Sequence, residues 1–142
     1  MGLDDEFARV FHIDDFDTEA GRFRSVGHSK DGISVSCVVC AEFYSGSICS
    51  HIRRTKATIA SEPPIFWKFK RRQLPVDAKL VHCIEDADIC HHNVMSISQG
   101  GWKRMVKSAP VSGFYVCVSP THVQATIEML GHMKETWEES IR

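Results

Sequence analysis

GISVSCVVCAEF, residues 32–43, is the most strand-like stretch of the chain, and its neighbours decide the fold class. It is β-branched, bounded by Asp31-Gly32, and alternates Ile33, Val35, Cys37 and Val39 on one face, the period-two signature of a strand with one side in a core. Directly after it the period changes. In SGSICSHIRRTKATIA (45–60), Ile48, Ile52, Thr55 and Ile59 form an apolar helical stripe with Arg53, Arg54 and Lys56 outside it, and Ser45 or Ser47 can cap the helix. Glu62-Pro63-Pro64 ends that helix, because proline lacks the amide and disfavours helix in the residue before it.

Outward from this strand–helix unit, further strands are predicted. EFARVFHI (6–13) precedes it, with Phe7, Val10, Phe11 and Ile13 as core candidates. IFWKFK (65–70), AKLVHCIE (78–85), HNVMSIS (92–98) and GFYVCVS (113–119) follow it. The polar, glycine-bearing run 14–32 reads as a long loop or a pair of short edge elements. Gly100-Gly101 precede a short basic helix, WKRMVKSA. Ser119 as N-cap and Pro120 in the first helical position predict a long C-terminal helix carrying Val123, Ile127, Leu130, Trp137 and Ile141 on one face. The expectation is a single α+β domain over 1–142, its sheet mixed or antiparallel, with the C-terminal helix packed on it. Strict βαβ alternation and Gly-rich phosphate loops of either standard type are absent.

The 142 residues are 43% hydrophobic and 25% charged, ordinary values for a chain that buries one real core. No apolar run is long enough for a transmembrane helix. MGLDDEFARVF has neither the basic nor the apolar region of a secretory signal, and Glu6 breaks the myristoylation pattern. The reading is therefore a soluble cytoplasmic protein without membrane association, whose six cysteines are thiols. Cys37, Cys40 and Cys117 sit in apolar runs and read as core cysteines. Cys37 and Cys40, three apart in a strand, would face opposite ways, with no following helix of the thioredoxin kind.

Net charge is −1, but it is unevenly spread. Residues 4–19 are acidic apart from Arg9, and 53–72 are basic apart from Glu62. This split describes either a basic binding face or two solvated surfaces that pair with each other. FWKFKRR invites a nucleic-acid reading in which Trp67 or Phe69 stacks on bases, with Lys103, Arg104 and Lys107 enlarging the patch. The same aromatics alternate as a core face should.

VHCIEDADICHHNV (81–94) is the densest chemistry in the chain, with three histidines, two cysteines and three acids. In a hairpin of 78–85 with 92–98, His82 and His92 share a face with Cys90 beside them, as a three-ligand catalytic zinc site would require. The C-x6-C-H-H spacing matches no standard zinc pattern, so no metal ligand is assigned and no cofactor is named. Without metal, His92 and His82 remain candidate acid–base groups, since imidazole titrates near neutrality.

A third constellation is Arg9, His12, Arg22, Arg24, Ser25, His28 and Ser29. RVFHI, then GRFRS, then GISVS is similar over a short part of the chain to small ADP-ribosyltransferase-type domains, although the E-x-E pair of one branch is missing. That resemblance implies Arg9 or His12 holding NAD, Ser34 or Ser36 beside it, and Glu42 as the carboxylate. The leading expectation is a small enzyme, a hydrolase or transferase, acting on a phosphate-bearing or nucleotide substrate. Its catalytic candidates are His92, His82 and Glu42, and its anion-binding candidates are Arg9, His12, Arg22 and Arg24. The alternatives are a noncatalytic module that binds a protein partner, such as a toxin-neutralising or immunity protein, and a nucleic-acid-binding domain using 53–72.

Overall fold

A computed structural model describes residues 2–25, 32–55, 63–84, 88–118 and 121–142. Nine strands are assigned among them: β1 Glu6–Phe11, β2 Phe16–Asp17, β3 Arg22–Phe23, β4 Ile33–Cys37, β5 Ile65–Lys70, β6 Lys79–His82, β7 His91–Met95, β8 Phe114–Cys117 and β9 His122–Gln124. Four α-helices accompany them: α1 Val38–Ser45, α2 Ile48–Thr55, α3 Gln99–Ser108 and α4 Ile127–Ser140. Seven strands form one sheet in the order β6-β7-β4-β1-β5-β8-β9, every neighbouring pair antiparallel, while β2 and β3 form a separate hairpin. The fold is α+β, its sheet antiparallel rather than mixed, with a C-terminal helix packed on it.

Alternation within the strands divides the core between the two faces of this sheet. Phe7 and Phe11, Ile65, Trp67 and Phe69, and Phe114 and Val116 point to one face, where Trp102 and Val106 of α3, Leu130 of α4, and Phe16 and Phe23 of the hairpin cover them. Ala8, Phe66 and Cys117 point to the other face, where α1 and α2 bring Val38, Ala41, Ile48, Cys49 and Ile52. The link from β4 to β5 crosses the second face through α1 and α2, and the link from β7 to β8 carries α3 over the first.

Several expectations need correction. The strand at 32–43 stops at Cys37, and helix α1 starts at Val38. Val38 and Ala41, three apart, are both buried, a spacing that a helix satisfies and a strand does not. Cys40 therefore lies in the first turn of a helix, and Cys37 precedes that helix as its N-cap residue. Cys49 and Cys117 are joined as a disulfide, replacing the expected thiols, because α2 lies against the end of β8. The C-terminal helix starts later than expected: Thr126 caps it through its side chain, and His122–Gln124 pairs with β8 instead of opening the helix. The expected cap at Ser119-Pro120, the helical positions Lys56 and Ile59, and the stop at Glu62 lie outside the described residues.

Acidic and basic segments partly neutralise each other. Asp4 lies 2.7 Å from Arg72, Glu6 3.7 Å from Lys68, and Asp14 3.7 Å from Lys134. Among the described residues, no helix is long and apolar enough to cross a membrane.

Candidate functional site

A cleft of about 1010 Å³ lies between the β2–β3 hairpin and α3. Phe23 turns inward from β3, so its neighbours Arg22 and Arg24 project outward. On α3, Trp102 and Val106 form the buried stripe, and Lys103 and Lys107 follow one position behind it at the same four-residue spacing. The cleft is thus lined by Arg22, Arg24, Lys103 and Lys107, with Ser25, Gln99 and Gly100 alongside, Trp102 and Phe23 in its wall, and Asp17 as its carboxylate.

Its electrostatics favour an anion. Arg24 is partly engaged, 3.4 Å from Asp15 and donating to the Asp14 carbonyl at 3.0 Å. Arg22, Lys103 and Lys107 make no ion pair with other described residues. Asp17 is itself occupied, its Oδ1 accepting the amides of Glu19 and Ala20 at 3.0 and 3.1 Å. Helix α3 begins at this cleft: Ser98 Oγ accepts the Gly101 amide at 2.9 Å, while the amides of Gln99 and Gly100 have no acceptor among the described residues. Such free amides and the positive end of the helix dipole are what phosphate oxygens seek. Gly100 presents no side chain to obstruct approach to this backbone.

The expected site residues disperse. Arg22 and Arg24 meet in the cleft; Arg9, His12, His82, His92 and Glu42 do not line it. Arg9 is half-buried in β1 and donates to the Ser34 carbonyl at 2.8 Å, its Nε buried without a partner among the described residues. His12 accepts the Asp14 amide at its Nδ1 and meets the Trp137 ring edge-on at 4.7 Å. Glu42 is exposed on α1. His28 and Ser29, and the carboxylates Glu85 and Asp86, lie outside the described residues.

The hairpin expected around the histidines is present, and it sorts them by face. His82 pairs with His92 across β6 and β7, their rings stacked at 4.5 Å. His82 Nε2–H donates to the Ile89 carbonyl at 2.6 Å, and His92 Nδ1–H donates to the Cys90 carbonyl at 3.1 Å. Burial holds His92 below the ordinary imidazole pKa, helped by the nearby His82 and His91 and opposed by its bond to the Cys90 carbonyl. His91 points the other way and shares a hydrogen bond of 2.8 Å with Ser34 Oγ. Cys90 belongs to the α1/α2 side, apart from the two stacked rings, because the turn before β7 swings it there.

In its place at that turn stands His51 of α2, fully buried, whose Nε2 lies 2.9 Å from Asp88 Oδ1. The same oxygen accepts the Cys90 amide at 3.0 Å. Burial raises the Asp88 pKa, but the hydrogen bonds from His51 and the Cys90 amide outweigh it and hold the carboxyl below its usual range. Burial and the adjacent Cys40 push the Cys90 thiol up to about 12.

Trp67 and Phe69 are 2% and 1% exposed, so neither offers a face for base stacking. Asp17, Gln99 and His51 were missed by the sequence reading, which had named Ser25. The signal for the cleft was Ser98-Gln99-Gly100-Gly101 opening a helix with lysines four apart; nothing local marked His51, whose partners come from another element. No family model, curated protein or solved structure matches the chain.

Proposed function

We propose that the protein binds a phosphate-bearing ligand of nucleotide size in the cleft between the β2–β3 hairpin and α3. The observation that carries this reading is four cations, Arg22, Arg24, Lys103 and Lys107, lining the cleft at which α3 begins. The volume of about 1010 Å³ suits a ligand larger than inorganic phosphate. The features support binding more than turnover. Among the described lining residues, the groups able to move a proton or attack are Asp17, already engaged by two amides, and Ser25. The stacked His82 and His92 lie outside the lining.

Calorimetric titration with ADP and with inorganic pyrophosphate tests the reading. Expected is saturable binding that the double variant Arg22→Glu/Lys103→Glu weakens at least about tenfold, roughly 1.4 kcal/mol. Both positions are exposed, so the variant keeps the native circular dichroism. Absence of binding to either probe at millimolar concentration, or binding indifferent to the charge reversal, overturns it.

A second reading, a protein-binding module, is favoured by the outer side of α1. Val39, Phe43 and Tyr44 are 68%, 80% and 54% exposed there, more apolar side chain than a solvated helix needs. Sedimentation of the protein and of Phe43→Ser tests the simplest partner, a second copy. A concentration-dependent dimer lost in the variant supports it, and a monomer in both removes that partner.

A further inference from the structure

Away from the basic cleft, on the α1/α2 face, three side chains from two distant segments converge. One ligand atom each from His51, Asp88 and Cys90 lies within 4.8 Å of the other two. His51 comes from α2, and Asp88 and Cys90 from the turn between β6 and β7. We propose that His51, Asp88 and Cys90 ligate a zinc-class divalent ion.

The donor chemistry selects the metal class. One imidazole nitrogen, one carboxylate oxygen and thiolate sulfur suit zinc and its d-block neighbours, whereas calcium and magnesium take oxygen alone. The surroundings suit a bound ion as well. His51 and Cys90 are both 0% exposed, so a metal there would be held out of water. The buried Nδ1 of His51 has no hydrogen-bond partner among the described residues, so none of them locks the ring tautomer, and the Nε2 facing Asp88 can carry either a proton or an ion. Asp88 also borders a second, smaller concavity of about 550 Å³ lined with Tyr44, Arg54, Thr55 and Ile89, which gives an ion a route from solvent. Ligands from α2 and the β6–β7 turn would tie that helix to the sheet edge, with the fourth tetrahedral position left for a ligand entering from that concavity. Loading is written as thiol plus ion giving thiolate–metal plus a released proton, so affinity rises with pH.

Cobalt(II) titration of the full chain, with the Cys49–Cys117 disulfide left intact, tests this directly. Expected are one cobalt per chain, a thiolate-to-cobalt charge-transfer band, visible bands of tetrahedral intensity, and loss of all of them when one equivalent of zinc is added. Cys90→Ser abolishes the charge-transfer band, Asp88→Asn weakens cobalt binding at least tenfold, and Cys83→Ser, which changes a thiol outside the set, leaves the spectrum unaltered. Wild-type protein that develops no bands overturns the proposal without recourse to any variant. So do bands that survive in Cys90→Ser or vanish in Cys83→Ser.

Discussion

At the scale of single residues, burial sets the acid–base behaviour. The His92 imidazole is nearly enclosed, stacked on His82 and edge-on to Phe7 at 5.3 Å, and its pKa lies below the ordinary value. His122 is displaced the same way by burial and by Lys68. A lowered histidine pKa means the unfolded chain binds the proton more tightly. The stability these groups contribute is complete above pH ~6.5 and is lost as pH falls below that value towards their folded-state pKa values. Asp88 adds a separate loss at lower pH: its carboxyl is held below the usual range, so its contribution is present above the unfolded value and disappears as pH falls through the folded one. Urea midpoints measured across this range should decline in two stages, and His92→Gln should flatten the upper one. An unchanged upper stage in that variant would mean His92 does not set it.

At the scale of elements, the decisive places are joints. Gly32 immediately precedes β4 with φ of 99°, and a Cβ there would meet the Val94 carbonyl oxygen at 2.9 Å and Met95 Sδ at 2.5 Å. Gly32→Ala should destabilise by about 1–3 kcal/mol, seen as a lower denaturant midpoint with an unchanged slope. Helix α3 helps to build the cleft, and its existence was legible from Lys103 and Lys107 at helical spacing, but it starts at Gln99 under a Ser98 cap and takes in the two glycines expected to precede it. The end of β4 was not legible, because Ile33 to Val39 alternates as a strand while the burial of Val38 and Ala41 requires a helix from Val38 onward. The proposed binding of ADP in the cleft should weaken as sodium chloride rises, because exposed charges are screened. The salt dependence should shrink in Lys107→Glu, and identical dependence in both proteins would place Lys107 outside the ligand's reach.

At the scale of the whole molecule, one antiparallel sheet carries two chemically different sides, and the long connections cross it. The disulfide between Cys49 and Cys117 closes a separation of 68 residues, binding α2 to β8. By chain entropy alone such a link contributes about 4 kcal/mol. Cys49→Ala/Cys117→Ala should therefore unfold at markedly lower urea, and wild-type protein under strong reductant should approach it. Equal midpoints for oxidised and reduced wild type would show that the bond contributes nothing to stability.

Local pattern determined most element types, the α+β class and the hairpin that pairs His82 with His92, since alternation, helical spacing and glycine–proline punctuation act within a few residues. It also marked Arg22 and Arg24 as anion-binding candidates, because two exposed arginines flanking one inward phenylalanine need only a strand to be placed. Tertiary structure decided what each candidate meets. It set Lys103 and Lys107 opposite those arginines, buried Trp67 and Phe69, and turned Cys90 away from His82 and His92 towards His51. Those pairings join segments far apart in sequence, and their geometry comes from the strand order and from which face each connection crosses, which no local period encodes.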